Sequence, residues 1–472
     1  MVSYQLHYQP ESGQWLAFSA PVARVVADRP DQVLAALQKI ERSVEQDGLF
    51  AAGWVGYGAA PGFDQSLPAK AEPGQPLLGF TLYQNLQFLP SLPEDFPGTR
   101  STDKQRQSPR LDGFDAMGHK QAVGRIKKYL QEGDSYQVNY TQQILGKWSS
   151  GSEALFRELY AVQPQAYAAY LLEEHRAICS VSPELFFALQ GEHIRCKPMK
   201  GTARRGRTFV EDQLAAAALS ASVKDQAENL MIVDMVRNDL GRVARTGSVV
   251  VDRLFELEKY PTVWQLTSTI RAQTEASVTQ IFSALFPCAS IVGAPKGRTM
   301  EIIDELESRP RGLYTGAIGW LMPGRQAQFN VAIRTAIVDD QGQLSYGVGG
   351  GIVWDSDPDL EARECLDKAR ILAAPPIQRL KLLETLRWSR AEGYWLLEEH
   401  LKRLGESARY HDYPFDRAGF CAQLLAAATS FSMTVARVRL TLAVDGELHI
   451  THQPLEAVSR PVKVRVYDRP LS

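Results

Sequence analysis

The segment SVSPELFFALQGEHIRCKPMKGT, residues 180–202, decides the fold class. It holds two strand-like runs, LFFALQ (185–190) and HIRCKPM (193–199), separated only by Gly191 and Glu192. Strands that follow one another without an intervening helix favour antiparallel pairing, because parallel neighbours need a long crossover connection. The segment therefore favours an antiparallel α+β arrangement over a doubly wound parallel sheet.

The rest of the chain continues this pattern. Further strand-like runs mix irregularly with helical ones such as FDAMGHKQAVGRIKKYLQEGD (114–134), whose apolar residues recur at helical spacing. Near the end, AAPPIQR (373–379) contains two consecutive prolines, which cannot continue a helix. We therefore expect a large α+β domain over residues 1–372, a linker over 373–380, and a small α/β subdomain over 381–472.

Composition excludes several classes of protein. Among 472 residues, 52 Lys and Arg oppose 54 Asp and Glu, which argues against a nucleic-acid binder. No run of eighteen apolar residues predicts a membrane span, and the N-terminus lacks the basic and apolar regions of an export signal. The five cysteines form no CxxC pair, so we expect neither zinc nor disulfides, and a cytoplasmic location.

Two residues in the opening segment suggest acid and nucleophilic chemistry. Glu184 precedes an apolar run, and a carboxyl in apolar surroundings has a raised pKa and serves as a general acid near neutral pH. Lys200 lies between an apolar strand and a Gly–Thr turn, where desolvation lowers an amine pKa and frees a nucleophile. Each pattern is also typical of ordinary strand-edge and surface residues.

Two predicted helices carry acidic pairs. In SVKDQAENLMIVDMVRNDLGRV (222–243), Asp225 and Glu228 are three residues apart, and in SDPDLEARECLDKARIL (356–372), Glu361, Glu364 and Lys368 share one face. Facing carboxylate pairs suit a magnesium ion, which keeps waters and leaves room for substrate oxygens. Solvated helix faces carry the same pattern, so the pairs alone leave both readings open.

The glycine run GVGGGIVWD (347–355) stands just before the second acidic helix. Successive backbone N–H groups in a glycine-rich turn at a helix start bind anions such as a substrate carboxylate. A flexible strand-to-helix connection is the alternative. The neighbouring acidic helix favours the anion site, because a dicarboxylate bridging a metal and N–H groups would use both.

Eight segments taken together resemble the chorismate-utilising enzymes, a family that includes anthranilate and isochorismate synthases. In order they are GDSYQVNYTQ (133–142), SPELFF (182–187), KPMKGTARRG (197–206), DQAENLMIVDMVRNDLGRV (225–243), SIVGAPKGRTMEII (290–303), YTGAIG (314–319), NVAIRTA (330–336) and GGGIVWDSDPDLEARECLDKAR (349–370). The resemblance covers residues 1–372. It implies two packed antiparallel sheets flanked by helices, with magnesium bound to the carboxylates of chorismate.

The resemblance also implies roles for single residues. Glu228 and Glu364 match direct magnesium ligands, with Asp225 and Glu361 supporting them through water. Glu184 matches the acid that protonates the departing 4-hydroxyl group. The matches to substrate-binding positions are Gln137, Thr202, Tyr314, Arg334, Gly349, Gly350 and Lys368.

Two positions choose among the members of the family. Relatives that hydroxylate chorismate have a lysine where this chain has Gln137, which cannot activate water. Anthranilate-forming relatives have a small residue where this chain has Lys200, whereas relatives that aminate carbon 4 have a lysine there. The resemblance therefore implies conversion of chorismate and ammonia to 4-amino-4-deoxychorismate, in 4-aminobenzoate and folate biosynthesis, through a lysine adduct at ring carbon 2. A separate glutamine amidotransferase is the expected source of ammonia.

Residues 381–416 resemble the start of the class IV pyridoxal-phosphate enzymes, which include lyases that act on the same product. ETLRW matches an early strand, and EEHLKRLGESA matches a helix whose Arg403 would bind the cofactor phosphate. The family's cofactor lysine is not found, because Lys463, the one lysine after Arg403, lacks the expected motif. We therefore expect an incomplete lyase-like subdomain, and pyridoxal phosphate only if that module were complete.

Three alternatives stay open at this point. Anthranilate synthase component I is the nearest enzyme, and Lys200 argues against it. A bifunctional synthase and lyase would form 4-aminobenzoate from this one chain. A non-catalytic binding subunit is the third, and the presence of Glu184, Glu228 and Glu364 opposes it.

Overall fold

The structure is a computed structural model that describes residues 3–98, 111–373 and 380–456. The expected linker over 373–380 falls almost wholly outside the described residues, and so does Lys463. The chain divides into two compact units, Met1–Arg205 with Ala215–Ile377 and Gly206–Leu214 with Gln378–Ser472. The sequence did not predict that the short segment 206–214 belongs with the C-terminal unit.

The larger unit is an α+β structure, as expected. Its strands are β1 (Tyr4–Gln9), β2 (Gln14–Ala27), β3 (Phe50–Val55), β4 (Leu78–Leu89), β5 (Leu111–Asp112), β6 (Gln137–Lys147), β7 (Tyr167–Leu172), β8 (Arg176–Ser182), β9 (Leu185–Gln190), β10 (His193–Lys197), β11 (Met199–Arg204), β12 (Val250–Lys259), β13 (Val263–Gln273), β14 (Gly293–Ala294), β15 (Ala317–Met322), β16 (Gln326–Val331), β17 (Thr335–Asp339) and β18 (Gln343–Ile352). Its helices are α1 (Pro30–Asp47), α2 (Ala60–Phe63), α3 (Ala116–Gln131), α4 (Ser152–Val162), α5 (Phe209–Ala221, which begins in the other unit), α6 (Val223–Gly241), α7 (Val278–Leu285), α8 (Lys296–Leu306) and α9 (Pro358–Ala369).

Every strand pair in this unit is antiparallel, which confirms the expected pairing. Strand β13 pairs with β12 on one side and with β10 and β11 on the other. From β10 the order runs β9, β16, β15, β3, β4, β2, β1, β7, β8, β17, β18 and β6, with β5 and β14 on the far side of β6.

The long sheet packs its two halves face to face. Trp54 of β3 and Ile318 of β15 share a buried cluster with Leu171 of β7 and Ile178 of β8, strands to which they are not hydrogen-bonded. Helices cover the outer faces and form two larger apolar clusters. Strands covered on both faces read as continuous apolar runs, which explains the sequence of β9.

The two acidic helices begin where the sequence predicts. Ser222 caps α6 by accepting a hydrogen bond from the backbone N–H of Asp225. Asp357 caps α9 in the same way, with Pro358 at the first helical position. These caps satisfy backbone donors that have no partner inside the helix, and so fix where each acidic face starts.

Two local predictions were wrong. The glycine run lies inside strand β18, paired with β6 from Gly347 opposite Gln143 to Gly351 opposite Asn139, rather than in a turn at the start of α9. Lys200 likewise lies within β11, not before a turn. In both places glycine and small residues allow neighbouring groups to approach the backbone closely. A sequence alone does not distinguish this use of glycine from a turn.

The C-terminal unit is a four-stranded antiparallel sheet with two helices. The strand order is β20 (Gly393–Tyr394), β19 (Leu382–Ser389), β21 (Val435–Leu442) and β22 (Leu448–Pro454), and the helices are α10 (Leu397–His411) and α11 (Arg417–Ala428). Leu401 and Leu404 of α10 are buried against this sheet, whereas Leu396 is exposed. In the described part of both units, no helix has the length and apolar character needed to cross a membrane.

Candidate active site

Glu184 is a buried carboxyl immediately before β9. The residue is only 2% exposed, and the Ser290 hydroxyl donates a hydrogen bond to its Oε1 at 2.5 Å. Burial raises the pKa of Glu184 to about 7, although the Ser290 hydrogen bond and the positive charge of Lys200 act in the opposite direction. Near neutral pH, Glu184 therefore holds a proton that it can deliver.

Lys200 lies on β11, close enough to Glu184 for its positive charge to affect the pKa of that carboxyl. Burial lowers the pKa of its amine, against the opposing effects of Glu228 and Glu184, and Lys368 lowers it further. With the described residues its Nζ makes no hydrogen bond or ion pair. An amine that is desolvated and not held in an ion pair is available as a nucleophile.

Gln137 and Gly351 border the same space as the Lys200 amine. Gln137 opens β6, is completely buried, and neither Oε1 nor Nε2 of its amide has a hydrogen-bond partner in the described structure. A Cβ placed on Gly351 would lie 2.8 Å from both Gln137 Nε2 and Lys200 Nζ. Glycine at position 351 therefore keeps open the gap that the amide and the amine face.

The four predicted magnesium ligands lie on α6 and α9. Burial raises the pKa values of Glu228 and Glu361, and the negative charge of Glu364 raises both further. The pKa of Glu364 is instead lowered, chiefly by the charge of Lys368, whose Nζ lies 2.7 Å from Glu364 Oε1. Because the charge of Glu364 affects Glu228, these two carboxylates lie within electrostatic range of each other.

This donor set suits a hard cation in its chemistry. It consists of carboxylate oxygens that repel one another and are partly removed from water, so a divalent cation would relieve both costs. Among the residues that the structure describes, no three His, Cys, Asp or Glu side chains are close enough together to hold a metal ion. Glu361 Oε1 accepts a hydrogen bond from Ser356 Oγ at 2.6 Å, while Glu364 pairs with Lys368.

The predicted substrate-binding residues on β18 and α9 contact one another. Lys368 Nζ donates to the carbonyl oxygen of Gly349 at 2.7 Å, and Arg334 Nη1 donates to the carbonyl oxygen of Lys368 at 2.8 Å. A Cβ on Gly350 would lie 3.2 Å from Glu361 Oε2. Two cations, a glycine-lined strand and the acidic helix therefore meet at one place.

Tyr314 and Thr202 lie at the margins of this group. The Tyr314 ring packs on Gly347, where a Cβ would come within 2.1 Å of its Cγ. Thr202 is exposed, stands two residues from Lys200 on β11, and donates to Gln265 Oε1 at 3.1 Å. Gln265 of β13 thus accepts a hydrogen bond at the margin of the site.

Two non-glycine residues near the site have left-handed backbone conformations. Arg334 has φ of +52° and Thr315 has φ of +61°. Such conformations are uncommon outside glycine and cost roughly 1–3 kcal/mol, and they concentrate at functional sites. The left-handed residue at 334 directs the guanidinium toward the end of α9.

Arg403 does not belong to this group, because it lies in the C-terminal unit. Its Nε and Nη2 donate to the two oxygens of Glu384 at 2.7 and 2.5 Å, and His400 Nδ1 lies 2.7 Å from Glu384 Oε2. The expected role of Arg403 in binding a cofactor phosphate stays a prediction. In this structure its guanidinium is paired with a carboxylate of its own unit.

Sequence reasoning missed three residues of the site. Ser290 donates a hydrogen bond to Glu184, and Gly351 faces Lys200. The positive charge of Lys224 acts to lower the pKa values of Glu228 and Glu361. Gly351 was within the quoted glycine run but was not assigned a role. Ser290 opens the quoted segment SIVGAPK, yet no local pattern indicates that its partner is 106 residues away.

Comparisons with known proteins agree on the large unit. The family model for chorismate binding enzymes matches residues 4–374. The chain is 42% identical over 253 residues to aminodeoxychorismate synthase component 1 of Salmonella typhimurium, covering 53% of this chain and 56% of that protein. It is 41% identical over 292 residues to the Escherichia coli protein of that name, covering 61% and 62%. The chain thus spans somewhat more than half the length of these relatives.

Solved structures resemble the fold. Anthranilate synthase component I from Streptococcus pneumoniae superposes with a TM-score of 0.67 at 23% identity, over 76% of this chain and 92% of that one. The menaquinone-specific isochorismate synthase of Escherichia coli gives 0.63 at 20% identity, over 79% and 89%. Identity this low shows the shared fold and leaves the reaction to be argued from the site.

Proposed function

This chain belongs to the family of chorismate binding enzymes, and from that premise we propose that it aminates chorismate at ring carbon 4, forming 4-amino-4-deoxychorismate from chorismate and ammonia. The observation that carries the proposal is the presence of two groups in one site: a desolvated Lys200 amine and a Glu184 carboxyl whose pKa is about 7. The curated relatives named aminodeoxychorismate synthase component 1 support the same reaction.

The proposed reaction is a double displacement. The neutral amine of Lys200 bonds to ring carbon 2 and keeps both of its protons as a secondary ammonium, the two conjugated ring double bonds shift, and the 4-hydroxyl departs as water after taking the proton of Glu184. Ammonia then bonds to carbon 4, both double bonds shift back, and the bond between carbon 2 and Lys200 breaks, which releases Lys200 as a neutral amine. The incoming nitrogen gives one proton back to Glu184. The sum is chorismate plus ammonia giving aminodeoxychorismate plus water.

The remaining residues of the site would bind and orient the substrate. Arg334 and Lys368 supply positive charge for its carboxylates, and the ring of Tyr314 borders the pocket. We propose that Glu228 and Glu364 hold magnesium directly, with Asp225 and Glu361 acting through water. Bound there, magnesium would offset the negative charge of the substrate carboxylates.

We also propose that a glutamine amidotransferase supplies the ammonia. The designation component 1 of the relatives implies a partner component, and free ammonium ions should replace it in an assay. The cytoplasmic location and the lyase-like character of the C-terminal unit remain predictions.

Replacement of Lys200 by alanine tests the proposal. With chorismate, magnesium chloride and ammonium chloride, the wild-type chain should form aminodeoxychorismate, identified by chromatography. The Lys200→Ala variant should lose at least about a thousandfold in kcat, because no nucleophile reaches carbon 2. Lys197→Ala, which removes a lysine of the neighbouring strand paired with Glu258, is the matched control. Turnover of Lys200→Ala at the wild-type rate would refute the nucleophilic role.

A further inference from the structure

The amide of Gln137 is a buried polar group of the site that makes no hydrogen bond with the described residues. The residue is completely buried, and both polar atoms of its side chain lack a partner in the described structure. A buried amide with unmade hydrogen bonds destabilises the fold, because its polar groups have left water without gaining partners. Leucine would fill a similar volume without that cost, so the structure is stabilised less by Gln137 than by an apolar residue of its size.

The space that this amide faces also receives the amine of Lys200. The position of a Cβ on Gly351 lies 2.8 Å from Gln137 Nε2, 2.9 Å from Gln137 Cδ and 2.8 Å from Lys200 Nζ. The amide and the amine are therefore close neighbours across a gap with no side chain of its own. Rotation of the amide by half a turn exchanges its oxygen and nitrogen, so Gln137 can present an acceptor to this gap.

The charge of the neighbour matters for a lysine that must act as a free amine. A carboxylate at position 137 would favour the ammonium form of Lys200, and a second lysine would repel it. A neutral amide oxygen accepts an N–H from the uncharged amine and leaves the nitrogen lone pair free. Glutamine offers an acceptor to the amine without adding charge, which neither glutamate nor lysine does.

We propose that Gln137 is a positioning residue for Lys200: its amide oxygen accepts an N–H of the neutral amine across Gly351 and so directs the lone pair toward ring carbon 2. This inference rests on the proposed function, because it assigns the amine a nucleophilic role. It adds to the site a residue that acts through Lys200, and it explains why no side chain stands at position 351.

The rate at which the lysine adduct forms tests this inference. Full-length protein is mixed with chorismate and magnesium chloride in the absence of ammonia, and intact-mass spectrometry follows the addition of chorismate less water. Gln137→Leu should slow adduct formation at saturating chorismate about tenfold or more, whereas loss of a substrate contact alone would raise the KM for chorismate and leave that rate unchanged. Gln137→Asn, which keeps an amide on a shorter side chain, should recover part of the rate.

Two further variants separate positioning from damage to the fold. Gly351→Ala places a methyl group in the gap and should slow the adduct in the same way. Gln328→Leu removes another buried glutamine, whose amide donates to Tyr8 on a distant strand at 3.4 Å, and should leave the rate unchanged. Wild-type adduct rates in both Gln137→Leu and Gly351→Ala would overturn the inference. When ammonium chloride is then added, product from a wild type that forms no adduct would instead refute the covalent route, and absence of product would refute the proposed function.

Discussion

Two buried glutamates, one in each unit of the molecule, have pKa values that are shifted in opposite directions. Glu184 in the large unit is 2% exposed, and burial raises its pKa to about 7. Glu384 in the C-terminal unit is 4% exposed, and burial also acts to raise its pKa, but hydrogen bonds from Arg403 and His400 outweigh this effect and lower it.

The difference shows that burial alone does not make an acid catalyst. The donors to Glu184 are neutral, the Ser290 hydroxyl and the Met199 backbone N–H, so its charged form is poorly stabilised and it keeps its proton near neutral pH. Glu384 receives two donors of a guanidinium, so it stays ionised and acts as a structural anion. The partner decides whether a buried carboxyl transfers protons or holds the fold.

The largest expected effect comes from removing the proton of Glu184. In Glu184→Gln, kcat for aminodeoxychorismate should fall roughly 10²–10⁴-fold, because glutamine cannot protonate the departing hydroxyl. The thermal unfolding temperature should change little, since an amide replaces a largely protonated carboxyl. Steady-state kinetics with ammonium chloride measure this. Glu384→Gln is the matched control, and a comparable loss of kcat in it would contradict the contrast.

Stability, unlike kcat, should depend on Glu384 more than on Glu184. Glu384→Gln should lower the free energy of unfolding of the C-terminal unit by roughly 1–3 kcal/mol, because Arg403 and His400 lose their anionic partner. Hydrogen exchange of β19 should report the loss. Glu398→Gln removes an exposed carboxylate of α10 that pairs with Arg417 of α11, and it should have almost no effect on the free energy of unfolding. Equal protection of β19 from hydrogen exchange in Glu384→Gln and wild type would show that the contacts of Glu384 with Arg403 and His400 contribute nothing to stability.

The pH dependence of turnover should follow Glu184. Because the active form is protonated and the pKa is about 7, kcat should fall about tenfold for each pH unit above that value. The raised pKa also means that Glu184 stabilises the fold at low pH and loses this contribution as the pH rises through about 7. Glu384, with a lowered pKa, loses its contribution only in acid. A profile flat from pH 6 to 9 would remove Glu184 from the chemistry.

The smallest expected effect concerns Ser290. Its hydrogen bond favours the ionised form of Glu184, so Ser290→Ala should raise the pKa of Glu184 and move the alkaline limb of the profile upward by up to about one pH unit. Ser283→Ala, whose hydroxyl donates only within its own helix to Thr279, should leave the profile in place. A downward movement in Ser290→Ala would mean that the hydroxyl stabilises the neutral acid instead.

The sequence predicted the parts of this site that local patterns encode. The acidic helices in segments 222–243 and 356–372 and the antiparallel strands around Glu184 are predicted from patterns of nearby residues, and the structure confirms them. The glycine run was wrongly placed in a turn, because the close approach of Tyr314 and Lys200 to its glycines depends on strands far away in sequence. For the same reason the contact between Ser290 and Glu184 was beyond local reasoning, as was the association of segment 206–214 with the C-terminal unit.

The central claim is that Lys200 and Glu184 direct ammonia to carbon 4 of chorismate. Chromatographic identification of the product formed by the wild-type chain from chorismate, magnesium chloride and ammonium chloride tests it most directly. The account predicts 4-amino-4-deoxychorismate, which an added lyase would convert to 4-aminobenzoate. Formation of anthranilate, or of no product at all, would contradict it.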